Sequence, residues 1–316
     1  MDTKTLLTRL TFPLLIVALP LFLGAVFGPR IPDRDRWSKR LVFITLVLGY
    51  PVVTFLAGWS LHVARELIWL PVAGMVISLV GLGIGRLLSA LHRWRDPRSR
   101  GAYIFAVGLN NMGNTGGSLI AFALLGEQAF AQATLVVLHW QFMVYLVCFP
   151  LAKRWSREHK ALSLRDEVLA ALRDPRLLPL VGLLLGLGVN LLGVDRPDAL
   201  RPVTYVGMAL TAFTAAFAVG ICVRTERFGD YKPLYVSQFV GKFLLLPVVT
   251  WALCMAAGLS PMTTKICLIQ ASCPQAFYAV FLVHFFSLDH HQANSMFIIN
   301  SLLYLVFVLP VLVWVL

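Results

Sequence analysis

The stretch FAVGLNNMGNTGGSLIAFALLG (105–126) decides how this chain is read. It is apolar at both ends, yet Asn110, Asn111, Asn114, Thr115 and four glycines (Gly108, Gly113, Gly116, Gly117) interrupt it at the centre. A run of this length, about 20 residues, spans a hydrocarbon layer, so the interruption would lie at mid-depth. Glycine lowers the cost of leaving helical geometry, and asparagine replaces lost backbone hydrogen bonds. Non-helical backbone at that depth persists only when buried in protein or lining a wet cavity. The stretch therefore predicts a broken helix that forms a site, against the plainer reading of a straight helix whose small residues let a neighbour pack closely.

The composition surrounding it agrees with a lipid solvent. Of 316 residues, 59% are hydrophobic and 13% charged, too few charges for an ordinary water-facing surface. Apolar runs fall at 10–28, 41–60, 66–90, 102–125, 130–152, 177–194, 201–223, 234–258, 263–287 and 292–316, which predicts an all-α membrane protein of ten transmembrane helices. The first run is too long for a signal-peptide core and is expected to be retained. Cys148, Cys222, Cys254, Cys267 and Cys273 lie inside apolar runs without the spacing of a zinc site or disulfide framework, so no metal or cofactor is expected.

The net charge of +12 does not imply nucleic acid, because the basic residues form short clusters between apolar runs. Of the 27 Lys and Arg, 20 fall around the loops after the first, third, fifth and seventh runs. By the positive-inside bias those loops face the cytoplasm and both termini face outward. Trp37, Trp94 and Trp155 at one face, with Trp59 and Trp314 at the other, fit an aromatic belt.

The polar stretch 153–176 divides the chain into 1–152 and 177–316, five runs each, with itself as a cytoplasmic linker. Five is odd, so the halves insert in opposite orientation and read as two inverted five-helix repeats. A shift of about 160 aligns Gln132-Ala133 with Gln292-Ala293 and brings Asn114–Gly117 against Pro274–Phe277. Inverted repeats place a transporter's site near mid-membrane at the repeat interface. In the ninth run, QASCPQAFYAVF, Pro274 removes a backbone donor and kinks the helix. If runs four and nine break and cross, second half-helices start near Thr115–Gly117 and near Gln275, with positive dipole ends aimed at the crossing. Such a point attracts anions.

Lys242 is the one formally charged side chain deep in a run, and a lysine there is functional by default. It is expected either to pair a substrate carboxylate or to hold the crossing in place of a coupling cation. Asp and Glu are absent from mid-depth, with Glu66 and Glu127 near loop ends. His139 and His284 titrate in a range suited to proton relay, although single histidines in bundles are more often packing residues. An intramembrane enzyme is not expected, since no His-Glu-x-x-His, twin aspartate or Gly-x-Ser-x-Gly pattern is present. A transporter-like membrane sensor is the reading of another class, but the 153–176 loop is too short for a signalling module.

Four stretches resemble the auxin efflux carrier family, of the superfamily that also holds the bile acid:sodium symporters. They are LVFITLVLGYPVVTFLAG (41–58), NNMGNTGGSLIAFALLGEQAFAQA (110–133), KFLLLP (242–247), and ASCPQAFYAVFLVHFFSLD (271–289) leading to YLVFVLP (304–310); the Asp174-Pro175 junction is similar to that family's restart. The resemblance implies crossed, broken helices four and nine in a mobile core of helices three to five and eight to ten. A static panel of helices one, two, six and seven would also mediate a homodimer. It implies secondary transport of a small organic anion by an elevator movement in the inner membrane, with sodium coupling of the bile-acid type as the alternative. Carried over by position, Asn110, Asn111, Asn114, Thr115, Gly116, Gly117, Ser272, Pro274 and Gln275 would line the substrate site, with Lys242 as cationic partner. No proline follows Gly117 as the family's pattern has it.

Overall fold

A computed structural model describes residues 11, 14–62, 65–113, 116–156, 177–221 and 228–316. Asn114, Thr115, Cys222, Asp174-Pro175 and nearly all of the linker lie outside the described residues. The described chain is almost wholly helical, with no strand beyond one isolated bridge. In chain order the helices are α1 Leu19–Arg30, α2 Arg36–Trp59, α3 Trp69–Ser89, α4 Pro97–Gly108, α5 Gly117–Leu125 and α6 Glu127–Lys153. They continue as α7 Leu178–Leu191, α8 Asp198–Ile221, α9 Gly229–Ala256, α10 Pro261–Ala271, α11 Phe277–Phe285 and α12 His290–Val315.

Six of these (α2, α3, α6, α8, α9 and α12) are long and apolar enough to cross a membrane unbroken. The ten expected crossings are therefore not ten continuous helices. α1 and α7 are shorter, and the fourth and ninth apolar runs are each divided in two, as α4/α5 and α10/α11.

Sequence chemistry sets several of the helix ends. Asp96 caps α4, its carboxylate accepting from the Arg98 amide at 2.9 Å, with Pro97 at the first helical position. Ser260-Pro261 opens α10 in the same way, and Asp289 caps α12 through the Gln292 amide at 3.1 Å. Inside the long helices, widened π turns at Thr45–Gly49, Met143–Cys148, Val240–Leu245 and Tyr304–Val308 each stand two residues ahead of a proline (Pro51, Pro150, Pro247, Pro310). Proline has no N–H and crowds the carbonyl four residues back, and a wider turn relieves both.

Two packing groups emerge. α7 lies along the second half of α2, and α8 along α1. Glycines allow the close approach: a methyl on Gly24 would stand 2.3 Å from Phe217 O, and one on Gly186 2.0 Å from Phe55 O. In the other group, α3 packs on α4 and α6, α10 on α6, and α12 on α4, α9 and α11.

Candidate functional site

The two broken runs meet backbone to backbone. Asn110 and Gln275 form an antiparallel bridge. The Asn111 amide donates to Pro274 O, and the Ala276 amide to Leu109 O, both at 2.8 Å. The second half-helices start at Gly117 and Phe277, within two residues of the expected positions. Their starts are 160 residues apart, as the repeat alignment requires, but the residues in contact at the crossing are offset further, Asn110 with Gln275.

Breaking a helix orphans its last carbonyls, and several of those orphans find specific donors here. Asn110 Nδ2 donates to Gln270 O at 3.2 Å and to Ala271 O at 2.5 Å, capping the end of α10. Lys242 Nζ donates to Val107 O and Leu109 O, each at 3.0 Å, and to Asn110 Oδ1 at 2.5 Å. Gln238, one turn before Lys242 on α9, donates to Ala106 O at 3.0 Å and to Gln275 Oε1 at 2.8 Å. α9 therefore presents an amide and an ammonium at i and i+4 to the C-terminal end of α4, where the helix dipole favours positive charge.

A cavity of about 240 Å³ lies against the crossing. Asn110, Asn111, Met112 and Gly113 form one wall, the Tyr50, Trp140, Phe277, Tyr278 and Phe281 side chains supply aromatic surface, and Thr45 and Thr134 add hydroxyls. It reaches toward the end of the bundle that carries Val42 and Leu177. A second space of about 70 Å³ shares Asn111, Phe277 and Val219 with the first and adds Gly116, Pro274, Ser301 and Tyr304. The Phe277 amide, at the start of α11, has no hydrogen-bond partner among the described residues.

The expected site residues thus separate into roles. Asn110 and Asn111 line the larger cavity, and Gly116 and Pro274 the smaller one. Gly117, Ser272 and Gln275 are buried behind those walls. Lys242 is 0% exposed and lines neither cavity. Its three donors are already matched to three oxygens, so of its two expected roles the geometry matches the one in which it holds the crossing. His139 is likewise committed, with one ring nitrogen 2.9 Å from Ser78 Oγ and the other 2.6 Å from Val136 O.

Four residues escaped the sequence reading. Gln238 could have been found from its i, i+4 relation to Lys242. Asn300 Oδ1 accepts from the Gln275 amide at 2.7 Å, while its Nδ2 has no partner. Tyr304 Oη and Gln270 Oε1 are also buried without partners. Unmatched polar atoms in a buried setting are costly; the remaining one among the described residues, Thr264 Oγ1, lies in the first turn of α10, away from the break.

At the opposite end from Val42, the two packing groups are joined by polar contacts. Arg196 makes a two-pronged ion pair with Glu127 at the start of α6, one prong at 3.0 Å, and donates to Leu56 O at 3.0 Å. Gln128 exchanges hydrogen bonds with Ser60 O at 2.5 Å and the His62 amide at 3.0 Å. Both charged side chains of the pair are about nine-tenths buried.

No protein-family model matches the chain, and no curated protein matches it.

Proposed function

We propose that the chain is a secondary active transporter of the auxin efflux carrier type, which carries a small carboxylate across the cytoplasmic membrane. The observation behind this reading is the crossing itself: two helices broken at one level, joined by the Asn110–Gln275 bridge, with a cavity against it. Counting α4/α5 and α10/α11 as one crossing each brings the described helices to ten, the number an inverted pair of five-helix repeats requires. The packing of α1, α2, α7 and α8 on one another supports a rigid panel. The remaining helices then form the moving core.

The cavity's lining supports a particular kind of cargo. At about 240 Å³ it lies below the 300–1,000 Å³ of drug-sized sites, so the cargo is small. Its aromatic wall suits an apolar body. The charge would be met by the Asn111 side chain and the free Phe277 amide at the positive end of α11, not by a cationic side chain. The Lys242 ammonium holds three oxygens that would otherwise suit a metal cation, which supports transport without sodium.

The Arg196–Glu127 pair, which closes the far end, supports an inward-facing state under the orientation expected from the basic loops, with both termini outside. Opening to the other side then requires the core to break that pair as it moves.

Proteoliposomes containing the purified protein are expected to show saturable uptake and counterflow of a labelled monocarboxylate without sodium. A strict sodium requirement would restore the bile-acid-type alternative. Failure of every mono- and dicarboxylate tested to exchange, together with no thermal stabilisation by any of them, would overturn the transport reading.

A further inference from the structure

A separate cleft at the junction of α1 and α2 takes no part in the crossing. It is an open, shallow recess of about 1050 Å³, lined by Asp33, Arg34, Arg36, Lys39 and Arg40 together with Phe43 and Ile44. These residues flank the start of the α2 membrane span at Arg36, so the cations sit at headgroup level. Arg36, Arg40 and Phe43 follow one another at i, i+4 and i+7, on one face of the helix. The seven-residue step from Arg36 to Phe43 descends about 10 Å along the axis.

Three observations separate this cleft from the general excess of basic residues on that side. Arg34, Arg36, Lys39 and Arg40 pair with no carboxylate among the described residues. Phe43 and Ile44, in the same lining, are about half exposed. Trp37 lies under the Arg40 guanidinium at 5.7 Å, which fixes that charge beside an interfacial aromatic ring. A free anion would use the cations alone and leave the apolar rung unexplained.

We propose that this cleft binds an anionic phospholipid, the phosphate against Arg36, Lys39 and Arg40 and an acyl chain along Phe43 and Ile44. Basic recesses at the ends of membrane helices bind acidic headgroups in this way, each cation near the surface contributing about fivefold in affinity. The site depends only on the chain lying in a bilayer and is independent of what it transports. A lipid held here would link α1 to α2 at the foot of the first packing group.

Native mass spectrometry of the full-length protein tests the proposal. Wild type is expected to retain phosphatidylglycerol at least about fivefold more than phosphatidylcholine. Arg36→Gln/Arg40→Gln is expected to lower that retention roughly twentyfold, and Arg36→Lys/Arg40→Lys to keep it. Arg93→Gln/Arg95→Gln, which neutralises two exposed cations in the loop after α3, is expected to change it by less than about twofold. Equal retention of both lipids by wild type would overturn the proposal even if no variant folds. So would equal loss in the two glutamine variants, or displacement of the lipid by inorganic phosphate at matched concentration.

Discussion

The ammonium of Lys242 stands 2.5 Å from Asn110 Oδ1, and the same asparagine's amide nitrogen stands 2.5 Å from Ala271 O. One side chain on α9 thereby orients the residue that caps α10, while its other two protons cap α4. The geometry of both broken helices passes through this pair.

Replacing Lys242 with Met is expected to destabilise the fold by about 3–5 kcal/mol, because Asn110 Oδ1 and Val107 O lose their donors in a buried setting. Asn110→Leu added to that variant should cost at least about 1 kcal/mol less than it costs alone. Thermal unfolding in detergent reads both numbers. A melting temperature for Lys242→Met equal to that of wild type would remove the lysine from its structural role.

Asn111 is expected to contribute to ligand binding. It lines both cavities, and a hydrogen bond from its side chain to a charged ligand is expected to be worth about 1.5–3 kcal/mol. Asn111→Ala should therefore weaken carboxylate binding roughly tenfold to a hundredfold, measured by calorimetry or by counterflow. Unchanged affinity would move the ligand elsewhere.

Gly117 has no room for a side chain. A methyl there would lie 1.9 Å from Gln270 Oε1 and 3.1 Å from Cys273 Sγ. Gln270 is held by its bond to Ala133 O at 3.1 Å, so it cannot simply swing away. Gly117→Ala is expected to cost about 1–3 kcal/mol. In a Gln270→Ala background the same change should cost less than about 1 kcal/mol, since the clashing atom is gone.

Glu127→Gln is expected to loosen the end of the bundle that Arg196 closes. A cysteine placed at Met112, buried on the cavity wall, should then react at least about tenfold faster with an impermeant maleimide applied from the Arg196 side, read by peptide mass spectrometry. Because the pair is nearly buried, raising salt from 0.15 to 1 M should reproduce little of that effect. No change in labelling would mean that the pair does not limit access.

The breaks were legible because their residue types are expensive in lipid. Asn110, Asn111 and the glycines mark an unwound segment in the sequence itself, and Pro274 marks its counterpart. Lys242 stands out in the sequence for the same reason. Its position relative to the cavity was not, because sequence records how deep a charge lies but not which oxygens surround it. Gln238, Gln270, Asn300 and Tyr304 were overlooked since a lone polar residue in an apolar helix looks the same whether it faces a crossing or a neighbouring helix.

Hydrophobic run length and charge placement, which act locally along the chain, determined by themselves the helical class, the positions of the apolar segments and the two points where helices would break. Only tertiary structure decided that the breaks are joined by backbone hydrogen bonds, that the Lys242 charge is consumed by three oxygens, and that Arg196 meets Glu127 across 69 residues of sequence. Those pairings depend on distance in space between segments remote in the chain, and they form only when helix packing has brought the partners together and removed competing solvent.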